Sequence, residues 1–443
     1  PSIENEFARL SKEKADEDAI KVFTENLRQL LLSAPLGQKR VLALDPGYSN
    51  GCKIACLDAQ GSLLHHEIIY PHPPKRLYAQ ATVAMMRMIN QYHIEAIAIG
   101  NGTASRESKE FVTDCITHLS EAGKETPKVF VVSEDGASIY SASAIAREEF
   151  PNEDVTTRGA VSIGRRLIDP LAELVKIDPK SIGVGQYQHD VDQAELRRSL
   201  DLTVESCVNQ VGVNLNTASK HLLMYVSGLG SVLAQNIVDY RKEHGAFTSR
   251  TQLKKVPRLG TVAYQQSAGF LRIPNAKNPL DNSAVHPESY HIVEAMAKNK
   301  NCTVKELINN KKLLEHINLE EFVSTEVGLL TLNDILHELE KPGRDPREQL
   351  KEFEFDKSVH TIADLKEGME LPGIVTNITN FGVFVDVGVH QDGLVHISQL
   401  NSKFVSNPNT IVHLHQHIYV KVIEIDSKRN RIGLSMKNIK QPI

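Results

Sequence analysis

The sequence reads as an α/β part, then an α part, then a β part, and three observations predict this order. Residues 40–150 alternate strand-like apolar runs with helical stretches, which implies an α/β layer fold. Residues 226–273 hold two similar halves, each a helix, a short Leu-Gly hairpin and another helix. The last 75 or so residues break into five short β runs separated by Gly, Asn and Asp, the number and length that suit a small closed barrel. At 443 residues the chain exceeds what one hydrophobic core usually organises.

Taken in order, residues 1–39 contain "DAIKVFTENLRQLLLSAP", with Ile20, Phe23, Leu27, Leu30 and Leu31 at helical spacing and Pro35 and Gly37 ending the helix. The start at Pro1, with no Met and inside a helical run, predicts a segment of an upstream domain, packed against upstream structure. Residues 40–165 form the α/β domain, with strands in "RVLALD", "KIACLDAQGSLLHHEIIY", "IEAIAIGNG" and "KVFVVSED" and helices near 76–92 and 104–122. Residues 166–275 are helical, broken at "IDPKSIGVGQYQHD" and ending in the repeat at 215–275. The Pro- and Asn-rich "IPNAKNPLDNSAVHPE" introduces an acidic helical linker domain over 276–365, and the barrel occupies 366–437.

Composition narrows the function. Hydrophobic residues at 41% and charged residues at 24% are ordinary for a globular protein and give no sign of disorder. No apolar run approaches the roughly 18–20 residues that span a bilayer, and the first residues lack the basic-then-apolar order of a signal peptide. The five cysteines, Cys52, Cys56, Cys115, Cys207 and Cys302, are scattered with no CxxC pair, which predicts reduced thiols and an intracellular place, nucleus or cytoplasm. His413, His415 and His417 in "HLHQH" have the spacing of one strand face; with no thiol or carboxylate among them they read as a polar strand edge, and no metal is assigned. A net charge of −5 argues against a generic polyanion binder. Locally the picture differs: residues 215–275 carry Lys220, Arg241, Lys242, Arg250, Lys254, Lys255, Arg258 and Arg272 against Asp239 and Glu243, and an acidic stretch follows at 301–345.

Three segments carry chemistry. In "NFGVFVDV" only alternate side chains of a small barrel point inward, so Phe381 and Phe384 are either core or, facing outward, stacking platforms for unpaired bases, with Lys421, Arg429 and Arg431 near enough to track phosphates. The longer string, through "DGLVHIS" to "RIGLSMK", closely resembles an S1 domain, the RNA-binding OB-fold module. That resemblance implies a binding face at Phe381, Phe384, His396 and Arg431. The repeat resembles a tandem helix-hairpin-helix, in which hairpin amides at a helix N-terminus donate to phosphate; Gly228 and Gly230 stand there in the first copy, whereas Arg258 replaces the first Gly in the second, after Lys254 and Lys255.

The α/β part resembles the YqgF branch of RNase H-like folds, related to Holliday-junction resolvases. Such nucleases hold two metal ions between carboxylates at neighbouring strand and helix ends. Asp45 in "VLALDPGY" matches the first-strand acid, but "IAIGNGTASRES" has Gly100, Asn101 and Gly102 where an acid is needed, with Glu107 set into the next helix. "VVSEDGASIYSAS" offers Glu134 and Asp135 near a third position. Asp45, Glu134 and Asp135 are therefore expected to be vestiges of a nuclease site, and Asp45 before Pro46 and Gly47 also has an ordinary use as a turn-former. Together, "LALDPGY", "IGNGTASRE", "LAQNIV", "LKKVPRLG", "NPLDNSAVHPE" and "NFGVFVDVGVHQDGLVHIS" resemble the Tex family of transcription accessory proteins, and within it most resemble the C-terminal half of an animal member. The resemblance implies a scaffold binding single-stranded RNA, or DNA, in transcription or RNA metabolism and in contact with transcription machinery; the incomplete acids lead us to expect no catalysis, and no cofactor, membrane or small-molecule substrate is expected. Two alternatives stay open: a Mg- or Mn-dependent nuclease on Asp45 and Glu134, and a protein-interaction scaffold using residues 301–345.

Overall fold

The structure, a computed structural model, describes residues 3–441 apart from 122, 186, 325–326, 344, 348–355, 357–358, 360, 390, 415, 427–428 and 430. The chain divides into two compact units, residues 1–203 together with 348–443, and residues 204–347. Among the described residues no helix is long and apolar enough to cross a membrane.

The chain opens with helix α1 (Ile3–Leu31) and continues into a five-stranded sheet of β1 (Val41–Asp45), β2 (Cys52–Leu57), β3 (Leu63–Ile69), β4 (Ala96–Gly100) and β5 (Lys128–Val132). The order is β3-β2-β1-β4-β5, with β1 and β4 parallel at the centre and β2 antiparallel to β1. "VLAL" and "AIAI" run continuously apolar because helices cover the central strands on both faces. On one face α2 (Tyr78–Gln91) and α3 (Ser105–Glu121) set Met85, Met88, Phe111 and Val112 against Leu42, Leu44, Ile97 and Ile99. The short helices α4 (Ala137–Ala142) and α5 (Ala144–Glu149) follow β5. On the opposite face α6 (Val155–Ile168) packs Ala160, Val161, Ile163 and Leu167 on Val41, Ala43, Ala55 and Ala98. The layer therefore closes at Ile168, beyond the expected edge at residue 165. Helix α7 (Pro170–Leu174) and helix α8 (Gln193–Val211) come next.

In the unit formed by residues 204–347, strand β6 (Val213–Asn214) pairs in parallel with β7 (Leu271–Arg272) and brackets the repeat. Its first copy is α9 (Lys220–Leu223), a hairpin and α10 (Gly230–His244); its second is a 3₁₀ turn over Arg250–Lys255, a hairpin and α11 (Thr261–Ser267). The region read as an acidic helical linker domain has a packed core of its own. Helices α12 (Tyr290–Asn299), α13 (Val304–Leu307), α14 (Lys311–Glu315) and α15 (Leu329–Glu340) bury Val293, Met296, Leu307, Leu314, Leu332 and Leu339, together with Leu280 and Val285 from the supposed linker sequence. Helices of four or five residues show too few turns for a periodic apolar signal. Their starts are fixed by side chains: Thr303 accepts from the Glu306 amide and Asn310 from the Leu313 amide.

The C-terminal strands β8 (Glu370–Thr379), β9 (Gly382–Asp386), β10 (Gly393–His396), β11 (His417–Asp426) and β12 (Arg431–Ser435) close a barrel in the order β10-β12-β11-β8-β9. Val375, Val383, Val385, Val395, Val420, Val422, Ile432 and Leu434 fill it, as strict alternation requires. The expected histidine face does not form. His413 lies before β11 in a turn where the Gln416 amide donates to the His413 carbonyl at 3.1 Å, and His415 lies outside the described residues.

Helix α1 leaves Ile3, Phe7 and Leu10 near its start exposed and buries its second half. Its residues Ile20, Phe23, Leu27, Leu30 and Leu31 are buried within this chain, the helix lying against α7 and β8. The fully buried Asn26 amide donates to the carbonyls of Val184 at 3.1 Å and Ile378 at 3.2 Å, while Gln29 donates to Asn409 Oδ1 at 2.8 Å. A side-chain amide held in an apolar contact fixes orientation, because a displaced one leaves buried polar groups unsatisfied.

Candidate nucleic-acid interface

The barrel's outer face collects most of the predicted stacking residues. Phe384 alternates with the inward Val383 and Val385, and so faces outward beside Leu394, its partner on β10. Gly382 stands opposite His396, and Gly433 opposite Leu394 across the parallel β10–β12 pair. The two glycines leave low ground between Phe384, His396 and Arg431. Phe381 is 44% exposed at the β8–β9 turn and meets Phe384 edge-on, ring centroids 6.1 Å apart. His396 Nδ1 lies 2.9 Å from Ser398 Oγ, which orients the ring. Arg431 is exposed at the start of β12. Arg429 is drawn 3.9 Å from Asp426, and Lys421 sits farther round the barrel between Glu370 and Ser435, so these two do not border the aromatic lane.

The hairpin repeat presents a smaller basic surface than its composition implies. Arg250 is completely buried: its guanidinium donates to the carbonyls of Leu271, Leu280, Ser283 and Val285 and to the Tyr290 hydroxyl, and its amide donates to Asp281. Arg241 donates to the Leu215 carbonyl at 3.1 Å, and the buried Arg272 guanidinium lies against Gly212. These three cations serve packing. Lys254, Lys255 and Arg258 remain exposed, Lys254 lying 4.7 Å above the Tyr264 ring. In the first copy Gly228, with φ +80°, approaches α11 so closely that a Cβ would come within 2.6 Å of the Gln266 Cβ, and Gly230 begins α10 facing open space. Arg258 adopts φ +64°, the same left-handed turn, so the second copy keeps the hairpin shape with a guanidinium in place of the glycine.

At the sheet's strand tips Asp45 and Glu134 come close enough for the charge of one to raise the other, while Asp135 turns outward. Asp45 ends β1 half-buried, and burial raises its carboxyl above the ordinary range, with Lys53 opposing. Glu134 folds back over the tip of β4: a Cβ at Gly102 would come within 1.8 Å of Glu134 Oε1, and one at Gly100 within 2.6 Å of Oε2. Burial raises Glu134 as well, and the charge on Asp45 adds to it. The space that a strand-tip acid needs is thus filled by a carboxylate from the neighbouring loop. That loop is held by Arg166 of α6, whose Nη1 donates to the Ser133 and Asp135 carbonyls at 2.8 Å each. Asp135 itself is exposed and accepts from the Ser133 hydroxyl at 2.9 Å. Glu107 accepts from the Tyr48 hydroxyl at 2.8 Å. Among the described residues no group of three or more His, Cys, Asp or Glu is placed to hold a metal ion.

Two features here had no sequence signal. Nothing in "VVSEDGAS" says that Glu134 turns back onto Gly100 and Gly102, although the paired glycines in "GNG" do mark a close approach. Nor does a buried arginine announce itself, since Arg is almost never fully buried without partners and those of Arg250 lie 21–40 residues downstream.

Comparison with known proteins agrees with this division. Residues 39–168 match the family described as Tex protein YqgF-like domain, 208–272 a helix-hairpin-helix motif, 278–347 an HHH domain and 364–437 an S1 RNA binding domain. The sequence is 53% identical over 431 residues to Protein tex of Bordetella pertussis, a match covering 97% of this chain and 54% of that protein. It is 35% identical over 499 residues to the human S1 RNA-binding domain-containing protein 1, covering 98% of this chain and 50% of that one, so the likeness to the bacterial protein exceeds the animal one. The chain spans about half the length of the curated relatives it matches. Among solved structures, RuvC of T. thermophilus, in complex with a Holliday junction substrate, is 15% identical and covers 31% of this chain and 95% of its own, with a TM-score of 0.21 that carries no argument.

Proposed function

The chain is a segment of the Tex type, with a Tex YqgF-like domain, helix-hairpin-helix modules and an S1 domain, and from that premise we propose that it binds single-stranded nucleic acid without cutting it. The observation that carries the reading is the outer lane of the barrel, where Phe381, Phe384 and His396 stand around Gly382 and Arg431 lies at the far end. A flat path between aromatic rings and a cation accepts bases by their faces and the backbone by its charge, with little regard for sequence. RNA is the ligand favoured by the S1 likeness, single-stranded DNA the lesser one. The exposed Lys254, Lys255 and Arg258 of the hairpin repeat add backbone contacts.

The working place is intracellular, in transcription or RNA metabolism, with the transcription machinery as the partner and no cofactor required. Relatives named as transcriptional accessory proteins support that setting. The filled strand tips of the YqgF-like domain support binding without cleavage. Titrating the chain with labelled single-stranded RNA, single-stranded DNA and duplex at several salt concentrations tests the reading. Single strands should bind more tightly than duplex, with affinity falling steeply as salt rises. A preference for duplex, or affinity indifferent to salt, would overturn it.

A further inference from the structure

The barrel carries an aromatic side chain, outside the binding face that the S1 likeness implies, that is almost wholly in solvent. Phe404, between β10 and β11, is 94% exposed, the most exposed large hydrophobic side chain among the described residues. Single exposed hydrophobics are common. This one, however, is held outward by its neighbours: Leu400 and Val405 are both buried in the barrel core, so the segment between them is anchored at each end. Asn401 shapes it further, its Oδ1 accepting from the Lys403 amide at 3.2 Å.

The loop springs from the end of the barrel where the aromatic lane finishes. The Ile397 amide donates to the Phe381 carbonyl at 2.8 Å. The Gln399 carbonyl accepts from the Met436 amide and its side-chain oxygen from the Ser435 hydroxyl, each at 2.9 Å. The 3₁₀ turn Ile397–Gln399 is thus pinned to both the β8–β9 turn and the end of β12, directly after His396. Three residues, spanning four Cα–Cα steps of at most about 14 Å, separate the buried Leu400 from Phe404. The lane runs from Arg431 past Phe384 to His396 and Phe381, and the segment carrying Phe404 and the cationic Lys403 leaves the barrel from the turn that follows His396.

We propose that Phe404, with Lys403 contacting the adjoining phosphate, is a further base-stacking position that lengthens the single-strand footprint beyond His396. The proposal rests on the reading that the barrel's outer face binds single strands. A ring with nearly all its surface in water has most to gain from a base laid across it, and such stacking tolerates any base.

The test uses the full chain, with wild type and the Phe384→Ala, Phe404→Ala and Phe404→Trp variants titrated against labelled oligouridylates of about four and about twelve nucleotides, lengths spanning the range an OB fold occupies. Phe404→Ala should weaken binding of the longer oligomer about tenfold and leave the shorter one unchanged, while Phe404→Trp retains wild-type affinity. Because Phe404 touches no core, all variants should melt together. If Phe384→Ala loses affinity but Phe404→Ala does not, the extension is wrong and the barrel reading stands; Phe404 then serves some other contact. Equal losses on both lengths would place Phe404 inside the central footprint and overturn the extension. If neither Ala variant changes binding, the barrel reading itself fails.

Discussion

The strand tips of the α/β sheet and the outer face of the barrel handle potential binding chemistry in opposite ways. At the tips the acids are drawn inward: Asp45 is half-buried, Glu134 lies over Gly100 and Gly102, and burial raises both carboxyls. On the barrel the aromatic and cationic groups are pushed outward by alternation, since Val383, Val385, Ile432 and Leu434 claim the interior. A site whose own side chain occupies the ligand's space is closed by packing, whereas a face whose core is already full has nothing to do with its outward residues except meet solvent or a ligand. The hairpin repeat shows the same split within a few residues, Arg250 closed and Lys254 and Lys255 open.

The largest effect should come from breaking a closed position. Replacing Arg250 with Ala leaves the buried carbonyls of Leu271, Leu280, Ser283 and Val285 without their guanidinium donor, and should lower the stability of its unit by about 3–5 kcal/mol, read as a fall in urea midpoint. A midpoint unchanged from wild type would mean the arginine is not the hub the structure shows. Opening the exposed face should leave stability alone: Phe381→Ala and Phe384→Ala should each weaken single-stranded RNA binding by about 1–3 kcal/mol with melting unaltered.

A methyl group at Gly102 sharpens the account of the filled tip. Gly102→Ala collides with Glu134 and should cost about 1–3 kcal/mol in native protein but distinctly less when Glu134 is also Ala. The same penalty in both backgrounds would show that Glu134 does not occupy the tip. The raised carboxyls make a related prediction about pH. A folded chain that holds a proton more tightly than the unfolded one is stabilised as pH falls through the raised value, reaching its full gain below the ordinary 4.5 of glutamate. Relative to Glu134→Gln, the native chain should therefore gain stability on acidification from neutral pH; a pH-independent difference would contradict the raised value. The smallest effect belongs to the open lysines: Lys254→Ala and Lys255→Ala should each reduce the slope of log affinity against log salt by about one, without altering base preference.

How legible this was depended on how local the cause is. Continuous apolar runs at "VLAL" and "AIAI" announced central strands, and alternation around Phe384 announced a barrel wall, because both patterns arise within a single strand. The domain over 278–347 was legible as helical and acidic but not in its packing, because its helices are too short to show a period and its sequence is rich in Asn and Pro, which there cap helices instead of breaking the fold. The fates of Glu134 and Arg250 depend on residues far away in sequence, and the count of basic residues at 215–275 overstated the exposed charge for that reason. The buried second half of helix α1 meets α7 and β8, partners far away in sequence, while Ile3, Phe7 and Leu10 near its start stay exposed.

The central claim is that ligand meets the open barrel face and not the filled strand tips. The most direct measurement is equilibrium binding of one labelled single-stranded RNA to the wild-type chain, to Phe384→Ala and to Asp45→Asn, with denaturing-gel inspection of the same samples in Mg²⁺ or Mn²⁺. The account predicts a roughly tenfold loss for Phe384→Ala, wild-type affinity for Asp45→Asn, and intact RNA throughout. Unchanged affinity in Phe384→Ala, or metal-dependent cleavage that Asp45→Asn abolishes, would contradict it.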